Sequence, residues 1–133
     1  MRKFILTIVL LVFVDQIYAL DKEVMCRLPR SGVIKNADWG LALRAQMKKE
    51  CNASNFEKCT KKYEDAIESD YQKNITAMLK KFDENNLDEM QRILLRFMID
   101  EEMYAAKTAL FTGKSSEVVA NQMYLDCTKN RGK

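Results

Sequence analysis

The chain predicts an all-α fold, a compact bundle of about four helices stapled by two disulfides. Three observations carry that expectation. Breakers are scarce, with four glycines and one proline among 133 residues. Apolar residues recur at three- and four-residue spacing, and the strict alternation that marks strands is almost absent. Cys26, Cys51, Cys59 and Cys127 all lie downstream of a segment with the layout of a secretory signal, and an even count in a small secreted chain reads as a disulfide framework.

That segment is residues 1–19. Arg2 and Lys3 form a positive n-region, Phe4 to Val14 is an apolar run broken only by Thr7, and Ile17-Tyr18-Ala19 offers a small-residue cleavage site. The run is too short to cross a bilayer, which takes about 20 residues. Its removal leaves a single helical domain, 20–133, in the extracellular compartment with no other membrane span. The formal net charge of +3 falls by one with the loss of Arg2, Lys3 and Asp15. Acids and bases are interspersed, so the basic stripe of a nucleic-acid binder is missing. The tail Lys129-Asn130-Arg131-Gly132-Lys133 reads as a solvated end.

The four cysteines are assigned to disulfides rather than to zinc, because the chain has no C-x-x-C pair and no histidine. Four cysteines allow three connectivities. The reading favours the two that avoid a Cys51–Cys59 bridge and leaves the choice between them open. Asn52-Ala53-Ser54 and Asn74-Ile75-Thr76 are glycosylation acceptors, so Asn52 and Asn74 are expected at the surface.

Taken in order, Leu20 to Lys35 reads as a loop because it holds Pro29, Ser31 and Gly32. Helix one is expected over 37–49, capped by Asn36, with Trp39, Leu43 and Met47 as its apolar stripe. Gly40 beside Trp39 suggests that another helix comes close. Helix two starts at a capping box, Ser54-x-x-Glu57, and runs unbroken to about Phe82. Asn86-x-x-Glu89 is expected to cap helix three. Its run Ile93-Leu94-Leu95-Arg96-Phe97-Met98-Ile99 has one polar residue, which places it at the centre of the bundle. Gly113 ends helix three. Ser115 or Ser116 starts helix four, which carries Val118, Val119, Met123 and Tyr124 and ends near Cys127.

Chemistry is hard to place on this pattern. Without histidine there is no usual general base and no histidine-based triad. Oxidised cysteines are not nucleophiles. The neighbouring carboxylates Asp83-Glu84, Asp88-Glu89 and Asp100-Glu101-Glu102 diverge by about 100° per residue on a helix, so they read as solvated faces rather than a catalytic pair. No phosphate loop, calcium loop or cofactor motif is present. No catalytic residue, metal ligand or cofactor is therefore assigned. Met25, Met47, Met78, Met90, Met98, Met103 and Met123 read as core filling, with an adaptable apolar surface or cavity as the alternative.

The chain resembles the small helical salivary proteins of blood-feeding insects, which bind host proteins of haemostasis, complement or immune signalling. The likeness lies in its size, in the helix from Trp39-Gly40-Leu41 to Cys51, in the Cys51 to Cys59 hairpin and in the late Cys127. A weaker resemblance is to insect odorant-binding proteins, helical carriers of apolar molecules. Those have six cysteines with three residues between the second and third, whereas here seven residues separate Cys51 from Cys59. The first resemblance implies a non-enzymatic secreted protein whose partner is another extracellular protein. The second implies a small apolar ligand, held in a gap lined by Met78, Met90 and Met98. Neither transfers a functional residue.

Overall fold

The computed structural model describes residues 22–130, which form α1 Lys22–Arg27, α2 Arg30–Glu50, α3 Phe56–Asn85, α4 Glu89–Thr112 and α5 Ser116–Asn130. No strand occurs among them. The fold class is as expected: four long helices and the short α1. The expected signal, its cleavage near Leu20 and the last three residues of the basic tail lie outside the described residues.

The segment read as a loop is mostly helical. α1 and the first two turns of α2 occupy it, and Asn36 sits inside α2, donating from Nδ2 to the Gly32 carbonyl at 2.8 Å rather than capping a helix. Pro29 precedes the first turn of α2, where a missing N–H costs nothing, and its carbonyl accepts from Val33 N at 2.8 Å. Ser31 and Gly32 are poor helix formers, but Val33 and Ala37 are almost wholly buried against α4 and α5. Burial on that scale overrides a propensity deficit of about 1 kcal/mol for a glycine.

Both expected capping boxes are also misplaced. The Asn52 side chain accepts from Ser54 N, Ser54 Oγ and Asn55 N at 3.0, 2.6 and 3.2 Å, so Ser54 is spent in the turn and α3 begins at Phe56. Asn86 closes α3 instead of opening α4, in the left-handed region at φ 50° that asparagine tolerates. Asp88 caps α4, accepting from Gln91 N at 2.8 Å while Gln91 Oε1 accepts from Asp88 N at 3.0 Å.

The disulfides join Cys26 to Cys127 and Cys51 to Cys59, with Cα separations of 5.8 and 5.6 Å. The second overturns the expectation that those two neighbours are not bridged. α2 stops at Glu50, the Asn52 turn reverses the chain, and Cys59 on the first turn of α3 returns beside Cys51. Tyr63 reinforces the junction by donating to Glu50 Oε2 at 2.5 Å. The first bridge links α1 directly to α5.

α4 packs on α2, α3 and α5, and α2 likewise touches α3, α4 and α5, so α4 shares the centre with α2, and not through the stretch expected. Its enclosed part is Ala105, Ala106, Ala109 and Leu110, all at 0 % exposure. Within the Ile93–Ile99 run only Leu94 is buried, and Ile93 is 55 % exposed. Helix direction explains the difference. Gly32 faces Glu102, Gly40 faces Ala106, and Arg44 donates to the Leu110 carbonyl at 2.6 Å, so α2 and α4 run parallel. α2 begins level with residue 102 or so, and the first half of α4 projects past it. There it pairs with α3 through Tyr71, Ile75, Met78, Phe82, Leu95 and Ile99.

Gly40 performs the role its position suggests. A Cβ there would collide with the Ala106 carbonyl oxygen and lie 3.1 Å from the Ala106 carbonyl carbon. Gly113 ends α4 at φ 71°, as expected, with its N–H on the Ala109 carbonyl.

Candidate functional site

Where α2 and α3 separate, three helical faces leave an open groove of about 600 Å³. Each face is a single stripe at helical spacing. α2 supplies Gly32, Lys35, Asn36 and Trp39; α3 supplies Asp70, Asn74, Met78 and Lys81; α4 supplies Leu95, Ile99 and Glu102. Trp39, Met78, Leu95 and Ile99 make the apolar walls. Lys35 and Lys81 are exposed at the rim, while Asp70 and Glu102 are half-buried.

Glu102 is the unusual member. Its carboxylate lies over Gly32, where a Cβ would run into Oε1 and sit 2.8 Å from Cδ. Among the described residues it takes part in no hydrogen bond or ion pair; Lys35 and Asp70 act on it at longer range. Burial holds its carboxyl above the ordinary range, with Lys35 opposing the shift and Asp70 adding to it. This corrects the reading of Asp100-Glu101-Glu102 as a solvated face: all three are half-buried. Asp100 accepts from Tyr71 Oη at 2.5 Å and pairs with Arg96 at 3.4 Å.

Other acids have partners. Lys107 reaches Glu68 at 2.7 Å and Glu64 at 3.8 Å, pinning α4 to α3. Its hydrogen bond holds the Glu68 carboxyl below the usual range, and the Tyr63 hydrogen bond does the same for Glu50. Tyr63 is in turn pushed up to about 12 by Glu50.

The expected sites are scattered. The four cysteines are at the α1–α5 contact and the α2–α3 turn. Asn52 is exposed in that turn. Asn74 is exposed on α3 at the groove, donating to Asp70 Oδ2 at 3.2 Å. Of the three methionines expected to line a ligand gap, Met78 is in the groove; Met90 and Met98 are half-buried on α4 outside it. Trp39 was legible only as part of the apolar stripe of its helix, and Glu102 was missed. Gly32 inside a helix is the signal that points to it. A second, shallower depression of about 480 Å³ lies between α3 and α4, with Leu79 51 % and Ile93 55 % exposed.

Among the described residues no group of three His, Cys, Asp or Glu side chains forms a metal site, and no helix is long and apolar enough to cross a membrane. The chain matches no protein-family model, no curated protein and no solved structure.

Proposed function

We propose that the protein is a secreted, non-enzymatic binding protein that occupies a surface on another extracellular protein, as a salivary effector acting on a host's haemostasis, complement or immune response. The observation that carries this reading is the contrast between a filled interior and an open, charged groove. The crevices beside Cys26 and beside Trp39 measure about 20 and 10 Å³, and alanines at 0 % exposure close the α2–α4 contact. Surface recognition needs a rigid scaffold and exposed polar groups around an apolar patch, and the groove has that composition. Two disulfides fit an oxidising compartment. Glycosylation at the exposed Asn52 belongs to the same reading.

The second reading, a carrier of a small apolar ligand, draws support from the groove's volume, which falls in the range of about 300–1,000 Å³ usual for small-molecule sites. A carrier encloses its cargo, however, and this groove is open and edged by lysines. The discriminating experiment titrates the secreted chain with a fluorescent fatty-acid probe and passes serum over the immobilised chain. Specific retention of a serum protein with weak probe binding is expected. Saturable submicromolar probe binding with nothing retained would reverse the order of the two readings.

A further inference from the structure

We propose that the groove receives a basic side chain of the partner protein, a guanidinium or ammonium flanked by acidic residues. The inference rests on the protein-binding reading and names the chemistry of the contact. Glu102 is a half-buried carboxylate with no bonded partner among the described residues, pressed onto the backbone at Gly32. Asp70 lines the same groove, so two half-buried carboxylates, one from α3 and one from α4, border it. A half-buried carboxylate without a bonded partner is less well solvated than in water, and an incoming cation offsets part of that loss. A guanidinium fits best, because its fork bonds a carboxylate through two donors and its plane stacks on an aromatic ring.

The walls match the rest of such a side chain. Trp39, Met78, Leu95 and Ile99 line the walls and offer apolar surface to its methylenes. The rim selects the neighbours. Lys35 and Lys81 repel an isolated cation but attract acids beside it, so an Arg or Lys between Glu or Asp residues satisfies carboxylates and rim together. A free amine has the cation without the acids, and the open groove covers less of it.

Trp39 is the only tryptophan of the chain, so its fluorescence reads this site directly. The secreted, disulfide-bonded chain is titrated with a blocked Glu-Arg-Glu peptide, with the same peptide carrying neutral citrulline for arginine, and with phenethylamine. The expected result is a saturable change with the arginine peptide and at least tenfold weaker binding of the other two. Glu102→Gln should lose about tenfold for the arginine peptide without melting lower, and Asp70→Asn should weaken it to a lesser degree. Equal binding of the citrulline peptide, unchanged affinity in Glu102→Gln, or no response to any peptide overturns the proposal. Tighter binding of phenethylamine overturns it in favour of a free amine. Serum capture by Glu102→Gln separates the two claims: undiminished capture leaves the protein-binding reading standing and the groove out of it.

Discussion

The two ends of this bundle are built differently. At one end α2, α4 and α5 meet through Val33, Ala37, Ala105, Ala109, Val119, Ala120 and Met123, and α3 joins through Tyr63 and Ile67. Small side chains let backbones approach so closely that Gly40 has no room for a methyl group. At the other end the second half of α3 and the first half of α4 form a hairpin of larger residues, Ile75, Met78, Phe82, Leu95 and Ile99. There Leu79 and Ile93 remain half-exposed. The composition misleads: the most apolar run among the described residues is not the most buried one. Enclosure depends on how many helices surround a residue, and alanines at a three-helix contact are more enclosed than leucines and isoleucines in a hairpin.

If that contrast is right, the largest effects belong to the packed end. The Cys26–Cys127 bridge spans 101 residues, and the chain-entropy model assigns a loop of about 100 residues about 4.7 kcal/mol. The Cys51–Cys59 bridge spans 8, for which the same model gives about 2.5 kcal/mol. Paired alanine replacements should therefore lower stability in that order in urea unfolding. Equal losses would show that the α1–α5 staple closes nothing that packing does not already close.

Leu110→Ala should come next. Its side chain is at 0 % exposure among helix backbones held apart by other contacts, so a cavity there does not collapse, and about 4 kcal/mol is expected. Gly40→Ala should cost about 1–3 kcal/mol through overpacking, despite the better helix propensity of alanine. Ile93→Ala, at 55 % exposure, should stay within about 0.5 kcal/mol. A loss at Ile93 comparable with that at Leu110 would erase the distinction between the ends.

Much of this was legible in the sequence and some of it was not, for identifiable reasons. The helix count, the unbroken α3, the stop at Gly113 and the close approach at Gly40 follow from periodicity and from the absence of a side chain. The start of α2 was misread because Pro29, Ser31 and Gly32 signal a loop and only the burial of Val33 and Ala37 overrides them, and the starts of α3 and α4 because Asn52, Ser54, Asn86 and Asp88 are all able to cap and only the chain reversal decides which one does. The Cys51–Cys59 bridge depends on that same reversal. The groove escaped because its faces come from three helices whose parallel or antiparallel register no local pattern encodes. Glu102 looked like one of many helical acids, and its burial is set by Gly32, 70 residues earlier.

The smallest expected effect has the opposite sign and tests the junction between the two regions. Glu102 sits where the close α2–α4 contact opens into the groove, and burial raises its carboxyl pKa in the folded chain. In strong acid the group is protonated in both states and costs nothing. As pH rises the unfolded chain ionises first, because its pKa is the lower one. The folded chain then holds the extra proton, and stability falls until the pH passes the raised folded value. Above that value the deficit is constant. Glu50 and Glu68 behave in reverse: their folded pKa values are lowered, so their contributions are present at neutral pH and fade in acid. The total pH profile mixes these effects, whereas the difference between the natural chain and Glu102→Gln isolates one of them. That variant should melt slightly higher at pH 7, with the difference vanishing towards pH 3. A variant that melts lower at pH 7 would mean that Lys35 already compensates the carboxylate, and the groove would then lack the uncompensated charge that draws a cation into it.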